Sequence, residues 1–116
     1  MQITERQVGD VAIIDLSGRL VLGDGDDLLR DKVNSLVQQG RHHVLVNLSR
    51  LSYMDSAGIG ELVRCYTTVT RRGGALKLLG LTKRVSDLLT ITKLLTVFDS
   101  FDSEAEAVAS FGTVRV

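Results

Sequence analysis

Few residues in this chain could do chemistry, and most of them gather in one stretch, Tyr53-Met54-Asp55-Ser56-Ala57-Gly58-Ile59-Gly60. It joins an acid, a hydroxyl and two glycines. An Asp or Ser ahead of an apolar-periodic run is a helix N-cap signal, because its oxygen accepts from a backbone N–H that has no partner within the helix. Either Asp55 or Ser56 could take that role. Two glycines in the first helical turns cost roughly 1 kcal/mol each relative to Ala. The simplest offset is close approach of another surface to the backbone, so Gly58 and Gly60 are expected to admit a docking partner. Replacing either by Ala is then expected to keep or raise helix stability while weakening that docking.

Other reactive groupings lead to no enzyme. Ser56 is not a nucleophile elbow, because Met54 stands where that motif needs Gly. Gly58-Ile59-Gly60-Glu61-Leu62-Val63 begins like a dinucleotide fingerprint but has Val63 at the third glycine. There is no Gly-Lys-Ser/Thr phosphate loop. His42 and His43 are adjacent and would point to opposite faces of a strand, so they would not share a metal. Asp24, Asp26 and Asp27 read as helix-start acids favoured by the macrodipole. Cys65 has no basic neighbour in sequence and reads as a small buried side chain. The expectation is a protein with no catalytic residues, metal or cofactor.

The elements that position the stretch follow from periodicity. Ile3 to Val8 alternate weakly, as an edge strand does, and Gly9-Asp10 makes a two-residue hairpin loop to the apolar strand Val11–Leu16. Residues 18–22 continue extended. Leu29, Val33, Leu36 and Val37 mark a helix face closed by Gly40. Val44–Leu48 is a buried strand. A helix from about Ser56 to Arg72 sets Ile59, Leu62, Val63, Tyr66 and Val69 on one side and ends at Gly73-Gly74. Ala75–Gly80 is a fourth strand. Thr82 caps a helix that buries Val85, Leu88 and Leu89, and Thr96–Phe98 is a short fifth strand. Ser103 to Glu106 has capping-box spacing and opens a last helix with Ala107, Val108 and Phe111 inward. The order β-β-α-β-α-β-α-β-α implies one α/β domain over residues 1–116, a mixed sheet with an N-terminal hairpin and about four helices. Ile14, Val46, Leu62 and Leu78 are its expected core.

The totals agree. At 116 residues with 44% hydrophobic content the chain can bury one core. Lys plus Arg equals Asp plus Glu at 14 each, which argues against a nucleic-acid partner. The single Cys fits a reducing compartment. The opening residues alternate like a strand, so no signal peptide is expected, and no apolar run reaches membrane-spanning length. The reading is a cytoplasmic, bacterial-type domain.

The stretch Asn47-Leu48-Ser49-Arg50-Leu51-Ser52-Tyr53-Met54-Asp55-Ser56-Ala57-Gly58-Ile59-Gly60 resembles the signature of the STAS domain family, the domain of sulfate transporters and anti-sigma-factor antagonists. The resemblance extends to the strand that ends in Gly18-Arg19-Leu20, the Gly73-Gly74 turn and the Leu76–Leu79 strand. It implies a small α/β domain. In free-standing members it implies that the Ser after the Asp, here Ser56, is phosphorylated by a serine kinase that doubles as the anti-sigma factor. The unphosphorylated antagonist binds that kinase and releases the sigma factor. Asp55, Ser56, Ala57, Gly58 and Gly60 would then form the partner-binding site. Two departures stand out: Thr92-Lys93 where related sequences commonly carry Ser-Gly, and Asn47 where an acid is frequent. A STAS adaptor subunit with Ser56 unmodified is the rival reading, and weak nucleotide binding is a third.

Overall fold

The computed structural model describes residues 1–112, so the last four residues of the expected domain lie outside the described residues. Chain order is β1 (Gln2–Val8), β2 (Val11–Leu20), α1 (Asp26–Gln38), β3 (His43–Met54), α2 (Ser56–Arg71), β4 (Ala75–Leu79), α3 (Lys83–Ile91), β5 (Ser100–Phe101) and α4 (Glu104–Ser110). The five strands lie side by side in sequence order. The β1–β2 hairpin is antiparallel and turns at Gly9-Asp10, with Val8 opposite Val11. Every later pair is parallel, because a helix intervenes each time.

Alternation along the central strands divides the core. Ala12, Ile14, Leu16, Val44, Val46 and Leu78 pack against α1, α2 and α3 in the larger cluster. Val11, Ile13, Leu45 and Leu79 point the other way and meet Ala107 of α4, flanked by Phe101, Val108 and Phe111. The four expected core positions, Ile14, Val46, Leu62 and Leu78, are each 0% exposed.

Beyond α4, the second sheet face is polar. Arg6 donates to both carboxylate oxygens of Asp15, at 2.6 and 3.0 Å, and to both of Glu104, at 3.2 and 2.7 Å. This pairing with Arg6 holds the Asp15 carboxyl below its usual range. Asn47 lies in the same network, its Nδ2 donating to Asp15 Oδ1 at 2.8 Å. An acid at 47 would set a second carboxylate against Asp15, so the amide suits this chain's own neighbours.

The boundaries differ from expectation in three places. The two extended pieces before α1 form one strand, β2, with register shifts at Asp15/Ser17 and Gly18/Arg19. β3 runs six residues past Leu48 to Met54, so Ser49 and Ser52 are strand residues rather than loop. Its pairing with β4 ends at Asn47 opposite Leu79, and beyond that point it is paired with β2 alone. The fifth strand is Ser100–Phe101, not Thr96–Phe98. Phe98 instead turns inward, 4% exposed, with its ring edge-on to Tyr66 at 5.3 Å. Lys93 follows α3 with φ 62°, a left-handed conformation that a Gly adopts without the Cβ penalty.

Candidate functional site

The signature spans the end of β3 and the start of α2. Asp55 is the N-cap, with an extended backbone at φ −102°, ψ −175°. Its Oδ1 accepts from Gly58 N–H at 2.9 Å and its Oδ2 from Leu22 N–H at 3.2 Å. One carboxylate therefore fixes both the helix start and the loop after β2. These donors, Gly58 N–H foremost, hold the Asp55 carboxyl below its usual range. That settles the choice left open by the sequence: Asp55 caps, and Ser56 is the first helical residue.

Ser56 is exposed, and among the described residues its hydroxyl has no hydrogen-bond partner. Three nearby Ser and Thr hydroxyls are engaged. Ser49 Oγ donates to Asn47 Oδ1 at 2.8 Å, Ser52 Oγ to Gly18 O at 3.1 Å and Thr67 Oγ1 to Val63 O at 3.0 Å. Ala57 is half-buried and Gly60 exposed.

The two glycines do different things. A Cβ on Gly60 would meet nothing within 4 Å. A Cβ on Gly58 would run into the Leu20 carbonyl oxygen and stand 2.7 Å from Met54 Cγ. The close approach that Gly58 permits is therefore internal, to β2 and the end of β3. This corrects the expectation that Gly58 is there to admit a partner and that Ala would be tolerated: Gly58 is buried, and its missing side chain seats α2 on the sheet.

The sequence reading missed two further features. Glu61 is 5% exposed, and its carboxylate accepts from Arg30 Nη1 of α1 at 3.3 Å and from the Cys65 thiol at 3.6 Å. Burial, reinforced by the Glu61 charge, pushes the Cys65 thiol up, so it stays protonated and inert. A signal for Glu61 existed, since it falls four residues before Cys65 and eight before Val69, on the buried stripe. Arg19 and Arg84 both stack on Tyr53, at 5.5 and 5.9 Å from the ring centroid. No local pattern brings β2 and α3 to that ring.

The other sequence candidates are absorbed locally. Asp26 Oδ1 accepts from Gly23 and Asp27 N–H at 3.1 and 2.9 Å, and Asp27 Oδ1 from Leu28 N–H at 2.9 Å. His43 packs on Phe111, with centroids 5.3 Å apart. No helix of the described residues is long and apolar enough to cross a membrane.

Comparison with known proteins identifies the family. The STAS domain model matches residues 2–107. The anti-sigma F factor antagonist of Paenibacillus polymyxa is 26% identical over 115 residues, covering 98% of this chain and 97% of that one. The anti-sigma-B factor antagonist of Bacillus subtilis is 39% identical over 72 residues, 62% of this chain and 65% of that one. These names are those of regulators, not of enzymes. Among solved structures, an anti-sigma factor antagonist of Mycobacterium paratuberculosis superposes with a TM-score of 0.84 at 14% identity, over 95% of this chain and 92% of that one. The Bacillus cell fate determinant SpoIIAA in its phosphorylated form gives 0.74 at 22% identity, over 94% and 98% of the two chains. With the mixed five-stranded sheet, its helices and the Asp55-Ser56 turn all in place, the chain belongs to the STAS domain family.

Proposed function

We propose that this protein is an anti-sigma-factor antagonist that binds a serine kinase acting as the anti-sigma factor, and that phosphorylation of Ser56 ends the binding. The observation that carries the reading is the unengaged hydroxyl of Ser56 at the exposed start of α2, directly after the capping Asp55, while the hydroxyls of Ser49, Ser52 and Thr67 are bonded. The names of the matched relatives support it, as does the existence of a phosphorylated structure of the same fold.

The chemistry is local. Asp55 keeps its bonds to Gly58 and Leu22, so the helix start is held whether or not Ser56 is modified. A phosphate adds ≈ −1.5 to −2 charge, and the positive end of α2 partly accommodates it. The new charge and bulk act on the surface facing Ser56, Ala57 and Gly60. No refolding is needed for the contact to fail. Such a protein would act in the cytoplasm, alongside the transcription machinery.

The experiment is calorimetric binding of parent, Ser56→Ala and Ser56→Asp to the serine kinase, with phosphate mapped by mass spectrometry. Ser56→Ala binds and stays unphosphorylated. Ser56→Asp loses tenfold or more in affinity, ~1.4 kcal/mol, within what one uncompensated interface charge costs. Equal affinities, with no phosphate on Ser56, would promote the adaptor reading instead.

A further inference from the structure

α3 carries one face packed on the core and one that lines an open groove. Val85 and Leu89 point inward and are buried. Arg84, Asp87, Leu88 and Ile91 recur at i, i+3, i+4 and i+7 and, with Lys83, Tyr53 and Met54, line an open groove of about 600 Å³. Ile91 is 76% exposed and Tyr53 38%. At this level β3 is paired with β2 alone, so no strand of the sheet covers the groove. A stripe with that spacing is what one helix offers another.

The rim sets the sign of the partner. Lys83 and Asp87 pair with each other at 2.8 Å. Arg19 and Arg84 both lie over Tyr53, and neither has a carboxylate within salt-bridge distance among the described residues. One uncompensated guanidinium, Arg84, thus lines the groove beside the apolar Met54, Leu88 and Ile91, and a second, Arg19, lies over the Tyr53 ring that also lines it. Tyr53 and Met54, which line the groove, directly precede Asp55-Ser56 in the chain.

We infer that this groove binds an acidic amphipathic helix of the partner protein, with apolar side chains against Met54, Leu88 and Ile91 and carboxylates on Arg19 and Arg84. Assigning that helix to the kinase that acts on Ser56 rests on the preceding reading; the groove's preference for an acidic helix does not. The guanidinium groups favour carboxylates geometrically, through paired N–H donors.

The test uses two helical peptides of about 18 residues, above the length at which isolated helices are marginal in water. Both carry leucines at i, i+3, i+4 and i+7; one has glutamates on its polar face and its twin has lysines. Titrated into the full chain and followed by amide NMR, the glutamate peptide shifts Tyr53, Arg84, Leu88 and Ile91, and the lysine twin binds at least tenfold more weakly. Arg84→Glu removes the preference, whereas Arg72→Glu at the far end of α2 leaves it. Ile91→Ser, a change at an exposed position, weakens the glutamate peptide. Equal binding of the twins, no binding, or shifts confined to other surfaces would overturn the groove. With the kinase itself, Arg84→Glu and Ile91→Ser each lose tenfold or more in affinity without changing which residue is phosphorylated. Loss in Ser56→Asp alone would uphold the switch and overturn the groove's place in that complex. A peptide preference without any effect of Ser56 variants would uphold the groove and overturn the switch.

Discussion

On the inner side of the first turns of α2, Gly58 has no room for a side chain against Leu20 and Met54, and Ile59 and Leu62 are buried in the core. On the outer side, within the same two turns, Ser56 and Gly60 face open space. The same short sequence therefore holds one glycine that packing requires and another that packing ignores. The difference teaches that a docking surface can be rigid because of what lies behind it. Asp55 and Gly58 fix the helix start from within, and that leaves Ser56 and Gly60 without structural duties.

Variants can test the contrast, beginning with the inner side. Leu62→Ala is expected to have the largest effect, a loss of roughly 2–5 kcal/mol in denaturant unfolding, because Leu62 is 0% exposed and a cavity would remain. A parental midpoint would mean that α2 does not present that face. Gly58→Ala should come next, a loss of roughly 1–3 kcal/mol from the forced shift of Leu20 or Met54; a stability equal to the parent would place Gly58 with Gly60 and dissolve the contrast. Asp55→Asn should have a smaller effect and one that depends on pH. The folded carboxyl is held low, so its contribution is full above the unfolded value of about 3.9 and is lost as pH falls through the folded value. Thermal melts of parent and Asp55→Asn should differ at pH 7 and converge below about pH 4. Gly60→Ala should change least, with stability equal or raised by up to about 1 kcal/mol, so any loss of partner affinity in this variant reports the outer surface alone.

What could be read in the sequence was what local periodicity encodes. Ile14, Val46, Leu62 and Leu78 were legible because alternation and the 3.6-residue repeat place them without knowledge of partners. The caps at Thr82 and Ser103 were legible for the same reason, and each oxygen accepts a backbone N–H at 3.2 Å. The role of Gly58 was not, because the atoms it approaches include Leu20, far back in the chain. Nor was the pairing of Glu61 with Arg30, 31 residues apart. The second half of β3 was obscured by polar Ser49, Arg50, Ser52 and Tyr53, which are exposed on a strand whose buried positions there are Leu51 and Met54. Thr96–Phe98 misled because Phe98 is apolar for the sake of the core, while the short β5 has little pattern of its own. At the start of α2, residue type offers both Asp55 and Ser56 as the cap, and the choice between them depends on backbone angles that residue type does not fix.

β3 is the middle strand of the sheet, yet only its first half is held on both edges. Past Asn47 it continues to Met54 against β2 alone. In an exchanging solvent, a segment with one hydrogen-bonded neighbour opens locally at a lower free energy than the doubly paired segment before it. Deuterium should therefore enter the amides of residues 49–53 before those of residues 44–47. The serine at the start of α2 is thus carried on the more readily opened end of the most central strand.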